Sequence, residues 1–383
     1  VDQHIVVHDN DDVEGVDGAR QYYLSRNGAP VFVKKKGDVN NFGVGMQVEG
    51  GYQLMLEKDA EPANDYVCTV TEGYDQTRES PANNNYGNGM TYFIDRPMQP
   101  TMKTVYSQLA HTPEFSKFFE LCAALDPNGD PYSIEDIVEA AGLKTEEMEE
   151  SDWKNEVNKY TIFTDADGYI APENEFLVRF FNNYRYTIFV PTNEGIQKAI
   201  DEQGLPTWSS INTYIETWKG HVCKDCEEGV ELEANELCEH HKDKVQAMLT
   251  MLINFLKYHF QDESLFVDNV TTEEKYQTSW IDHEKNAYLF LTVNQRPGEM
   301  SVTDESDHTY QVNNTTLNNI LAREMNYSRK PASILIAGSD GYVKVSSYVT
   351  LHQLQDGVLN FGKLENGRYD SQWNTPAKAK KFV

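Results

Sequence analysis

Positive charge is what this sequence has least of: 33 Lys+Arg stand against 61 Asp+Glu, a formal net charge of −28. A field of that sign repels phosphate backbones and anionic headgroups, so neither nucleic-acid binding nor membrane-surface binding is expected. Long apolar runs are missing too. No stretch approaches the roughly 18 residues of a spanning helix, and the mean hydropathy is −0.62, so no transmembrane segment is expected. Cysteine is scarce and odd in number: Cys68, Cys122, Cys223, Cys226 and Cys238 are too few to scaffold 383 residues. Also absent are the Gly-x-Gly-x-x-Gly and Walker loops, the Gly-x-Ser-x-Gly elbow and His-Glu-x-x-His, which removes the usual support for nucleotide binding, serine hydrolysis and zincin chemistry. What is present suffices for packed cores, with 39% hydrophobic and 11% aromatic residues. The length favours two domains over one.

Residues 1–100 read as short β-prone runs cut by Gly, Asn and Asp, at 5–8, 22–24, 31–33, 52–56, 66–70 and 90–94, with 80–89 as a loop. Helical signals begin afterwards. Thr104 is a candidate cap, and Thr112-Pro113 opens a helix whose Phe115, Phe118, Phe119, Cys122 and Leu125 share a face. An acidic helical stretch over 133–150 precedes strands at 159–164, 176–181 and 186–190, the last stopped by Pro191-Thr192-Asn193 with Thr192 or Asn193 as the next cap. Trp208, Ile211, Ile215 and Trp218 mark one face of a further helix. The longest helix is expected over 233–260, with Val245, Met248, Leu249, Leu252, Phe255, Leu256 and His259 on one face. Strands return at 265–267, 276–280, 288–293, 333–336, 342–345 and 349–354.

An ordered internal repeat organises these elements. Ile5-Val6-Val7-His8-Asp9-Asn10 resembles Leu265-Phe266-Val267-Asp268-Asn269, and the paired runs at 21–33 resemble those at 276–291. Gly89–Asp95 closes the first block where Ser347–Leu354 closes the second. The expected division is therefore 1–102, the β-rich carboxy-terminal part of a first domain whose helices lie upstream of Val1; 103–362, a complete copy with inserts near 126–157 and 204–240; and a tail, 363–383.

Three segments carry a family resemblance. Thr187-Ile188-Phe189-Val190-Pro191-Thr192-Asn193-Glu194, the pair Tyr258-His259 at a helix end, and Gly89–Met98 with its looser counterpart Ser347–Leu359 are together similar to the signatures of tandem fasciclin domains. Val190, Gly195 and Ile196 depart from them, standing where that family prefers Ala, Ala and Phe. The resemblance implies an α+β fold, a wedge of mostly antiparallel β-strands beside a group of α-helices, in one partial and one complete copy. It further implies a non-catalytic adhesion or ligand-binding protein with an extracellular protein or glycan ligand. For bacterial members it implies a periplasmic or cell-surface location, often as a lipoprotein anchored upstream of residue 1.

The remaining chemistry lies in an insert. His221-Val222-Cys223-Lys224-Asp225-Cys226 is followed by Cys238-Glu239-His240-His241. A Cys-x-x-Cys hairpin presents two thiolates to one ion, and Cys238 and His241, three apart near a helix start, supply two more corners of a zinc tetrahedron. In an oxidising compartment Cys223 or Cys226 bridged to Cys238 staples the same insert. Structural zinc held by Cys223, Cys226, Cys238 and His241 and a disulfide stand here as equal expectations, either of which orders the insert. Two other function classes follow: glycan binding by exposed aromatic rings in nutrient capture, and a metal-dependent enzyme built on the Cys/His insert. Asp126–Asp130 and Asp165–Gly168 read as solvated turns, since the second lacks the ligands that open and close a calcium loop. His259 is expected to be buried and bonded to the backbone.

Overall fold

In the computed structural model the described residues are 4–6, 21–25, 30–50, 67–76, 79–80, 85–86, 89–98, 104–165, 176–178, 185–222, 232–266, 271–282, 286–296, 299–312, 320–329, 342–361, 364–365 and 368–369. The runs expected at 52–56 and 333–336, and most of the tail, lie outside them.

The first described portion is all β. Strands β1 (Gln21–Leu24), β2 (Pro30–Lys35), β3 (Gln47–Glu49), β4 (Cys68–Gln76) and β7 (Gly89–Ile94) form an antiparallel sheet in the order β1-β2-β3-β4-β7. A small pair, β5 (Glu79–Ser80) and β6 (Asn85–Tyr86), falls at and inside the stretch read as a plain loop. Alternation places Val31 and Val33 of β2, and Cys68 and Val70 of β4, in one core with Tyr23, Met46, Val48 and Met98. The distal half of β4 turns polar, so hairpin β4–β7 runs out beyond that core into solvent.

From Thr104 the pattern becomes mixed. Thr104 Oγ1 accepts the Ser107 N–H at the start of α1 (Val105–Ala110). Pro113 opens a 3-10 turn into α2 (Ser116–Ala123). The acidic stretch splits into α3 (Ile134–Ala140), capped by Ser133, and α4 (Glu150–Asn158), because Gly142 with its positive φ ends the first. After β8 (Phe163–Asp165), β9 (Phe176–Val178) and β10 (Tyr186–Val190) come α5 (Asn193–Lys198), α6 (Trp208–Trp218) and α7 (Glu239–Tyr258). Helix α7 is buried along most of its length, with Val245, Leu249, Leu252, Phe255 and Leu256 in the core. At about 1.5 to 3 kcal/mol for each large apolar side chain removed from water, it is the main helical contributor to this core.

Strands β11 (Phe260–Asp262), β12 (Thr271–Asp282), β13 (Ala287–Arg296), β14 (Glu299–Thr303), β15 (Thr309–Gln311), β16 (Ile320–Arg329) and β17 (Tyr342–Gln353) complete an eight-stranded sheet in the order β15-β14-β13-β12-β11-β10-β17-β16. Pairs β8–β9 and β18 (Leu364–Glu365) with β19 (Arg368–Tyr369) stand apart. Among the described residues every strand pairing is antiparallel except β10 with β17. The fold is thus mixed α+β and rich in antiparallel sheet. Leu265 and Phe266, read as part of a strand, are irregular and buried.

Candidate functional site

Two places concentrate the residues the sequence singles out. The first is the centre of the large sheet. All five residues of β10 are buried, and its register sets Thr187 opposite Thr350 of β17 and Gln261 of β11, with Gln261 in turn opposite Thr278 of β12. Thr187 Oγ1 donates to Glu263 O at 2.9 Å and accepts the Leu265 N–H at 2.9 Å. Its single proton being used, Thr350 Oγ1 donates to it at 2.7 Å. Gln261 is fully buried, and neither atom of its amide has a partner.

The chain leaves β10 through Pro191, and Thr192 Oγ1 accepts the Gly195 N–H to begin α5. Asn193 reaches across to α2, where its Oδ1 accepts the Lys117 N–H at 3.1 Å and its Nδ2 donates to Pro113 O at 2.9 Å and Ser116 Oγ at 3.0 Å. Gly195 stands where a larger residue does not fit: a Cβ there lies 2.6 Å from Gly357 O. At the far end of α7, Tyr258 OH donates to Phe290 O and accepts the Glu305 N–H. His259 is fully buried as expected, and both ring nitrogens are used. Leu359 N–H donates to Nε2 at 3.1 Å, so Nδ1 carries the proton and donates to Phe255 O at 2.8 Å. Burial holds its pKa down at about 4. His352 of β17, donating from Nε2 to Leu265 O, is lowered to about 4 for the same reason.

The second place is the insert. Thr207 caps α6, and Trp208, Ile211 and Ile215 are buried, with Trp208 Nε1 donating to Leu121 O at 2.6 Å. Trp218, expected on the same face, is instead 40% exposed, because it closes the helix beyond the core. Its ring stacks on His241, with centroids 4.5 Å apart. His241 is buried, its Nδ1 lies 2.7 Å from Tyr214 OH, and its pKa is lowered first by burial and then by His240 and His221. Cys238, the N-cap of α7, is buried and disulfide-bonded. Cys223 and Cys226 lie outside the described residues. A bridged sulfur is not a thiolate, so this arrangement offers a staple; holding zinc with Cys223, Cys226, Cys238 and His241 requires the bridge to be reduced first.

The turn at Asp126 is closed by its own carboxylate, which accepts the N–H groups of Asn128 and Asp130, each at 2.8 Å. Residues 166–168 of the other acidic turn lie outside the described residues. The sequence carries little sign of the Asn193 bridge to α2 or of the Thr187–Thr350 bond. The one available cue was a threonine inside each of two apolar strands.

No family model matches the chain, and no curated protein matches it. Solved structures similar to it include a FAS1 domain pair from the insect cell adhesion molecule fasciclin I, at 11% identity and a TM-score of 0.28, over 89% of this chain and 71% of that one. Among the described residues no helix is long and apolar enough to cross a membrane.

Proposed function

We propose that the chain is a non-catalytic adhesion or ligand-binding protein of the fasciclin type, working outside the cytoplasm on a protein or glycan ligand. The observation that supports this reading is the use made of its motif residues. Thr192, Asn193, Tyr258 and His259 bond to backbone or cap helices, and none is left to act on a substrate. A scaffold built this way carries its binding chemistry on exposed side chains and loops. The bridged Cys238 supports an oxidising compartment, and the role we assign to the Cys/His insert is to order the segment between α6 and α7. Glycan capture is the second reading, favoured by the half-exposed Trp218 ring, whose apolar face suits stacking on a sugar.

A cell-attachment assay on surfaces coated with the folded chain tests the first reading, and a glycan array tests the second. Attachment several-fold above that on the same chain reduced, alkylated and unfolded supports adhesion. Equal attachment on both surfaces rejects it.

A further inference from the structure

We infer that the open face of hairpin β4–β7 binds a neutral saccharide by packing one pyranose ring against Tyr74 and Phe93, which rests on the glycan reading above and adds to it a site other than Trp218. Register decides which side chains share that face. Glu72 lies opposite Phe93 and Tyr74 opposite Thr91, so by alternation Glu72, Tyr74, Gln76, Thr91 and Phe93 project to one side. Gly73 and Tyr92 project to the other, where the chain at Phe42 and Gly43 lies against them: a Cβ on Gly73 would meet Phe42 O at 1.9 Å, and one on Gly43 would meet the Tyr92 ring at 2.9 Å. The side chains of the first side are all exposed, Phe93 at 54% and Tyr74 at 49%.

These side chains are tied to one another before any ligand arrives. Tyr74 OH donates to Glu72 Oε2 at 2.9 Å, and Thr91 Oγ1 donates to Gln76 Oε1 at 2.8 Å. The Tyr74 and Phe93 rings meet edge to face, with centroids 5.6 Å apart and planes at 69°. The two strands are paired without a break from Glu72 opposite Phe93 to Gln76 opposite Gly89, so the rings stand on sheet. Exposed rings held in this way lose little freedom on binding.

The composition of the face selects the ligand. Its rings offer a stacking surface to the apolar side of a pyranose, and planes at 69° make a corner that suits one sugar ring rather than a flat chain of them. Beside the rings stand the Glu72 carboxylate, the Gln76 amide and the Thr91 hydroxyl, a mixture of acceptors and donors that sugar hydroxyls satisfy. Among the described residues Glu72 is the one ionised group that alternation places on this face, so an anionic sugar meets repulsion. Asp75 projects to the opposite side, and Asp95 and Arg96 pair with each other past the end of β7. A quaternary ammonium needs ring faces, whereas an edge-to-face pair spends one face on the electropositive edge of the other ring. A protein partner needs more: each side of a stable complex supplies roughly 20 to 30 residues.

The test is titration of the full chain, followed by saturation-transfer NMR, with the methyl glycosides of glucose, galactose, mannose and N-acetylglucosamine, and with tetramethylammonium as the cation probe. Wild type should bind at least one glycoside with a Kd of about 1 mM or tighter. Phe93→Leu, which keeps an apolar side chain but removes the ring, should weaken that binding about fivefold or more, and Tyr74→Ala should do the same. Melting temperatures should stay level, because both rings are exposed. No binding of any glycoside by wild type overturns the proposal, and the glycan array then decides the wider reading on its own. A Phe93→Leu variant that binds like wild type also overturns it; if Trp218→Ala loses binding in that case, the glycan reading stands at Trp218 alone. Binding of tetramethylammonium in place of the glycosides assigns the rings to a cation and overturns the proposal too.

Discussion

Acid should loosen the large core through His259, by an amount the geometry allows us to work out. Leu359 N–H points at Nε2, so a second proton on the ring sets two donors face to face inside a site without water access. Folded His259 therefore titrates at about 4 against the ordinary 6.5. Because the unfolded chain binds the proton more readily, the contribution is fully present above pH 6.5 and is lost as pH falls toward 4. Between pH 7 and pH 5 the loss is about 2 kcal/mol for this ring alone. Urea unfolding of wild type and His259→Gln at both pH values isolates it, since His352 and the carboxylates titrate in both proteins and cancel. The variant should be less stable at pH 7, and the gap should shrink by about 2 kcal/mol at pH 5. A gap that stays the same at both pH values refutes the protonation argument and the tautomer on which it rests.

Three other outcomes are expected. Gln261→Leu should raise stability by about 1 to 2 kcal/mol in urea unfolding, because it removes a buried amide without a partner; a loss of that size would place a bound water on the amide. Asn193→Ala should cost about 1 to 2 kcal/mol, since it strips a partner from Lys117 N–H and Pro113 O together, and an unchanged melting temperature would remove the bridge from the account. Thiol counting on denatured, unreduced protein should give three, the five cysteines less the two of the Cys238 bridge; five would place all sulfurs in the reduced form that zinc requires.

What the sequence disclosed followed from periodicity and from residues with fixed backbone habits. The face of α7, the Pro191 stop, the Thr104 and Thr192 caps and the burial of His259 are local consequences of composition, and the structure has them. Strands β14 and β15, of five and three residues, are too short for alternation to register in the sequence. Strand β17 was read as two pieces, since Ser346 and Ser347 interrupt its apolar pattern. The exposure of aromatic side chains is the least legible feature. Trp218 fits a helical face by spacing, and only the end of α6 exposes it.

The central claim, that a packed scaffold presents a binding surface without catalysis, is tested most directly by counting cells attached to an immobilised layer of the chain. Folded protein should hold several-fold more cells than the same protein reduced, alkylated and unfolded, and Asn193→Ala, which removes the bridge to α2, should hold as many as wild type at temperatures where it remains folded. Equal attachment to folded and unfolded layers would contradict the claim.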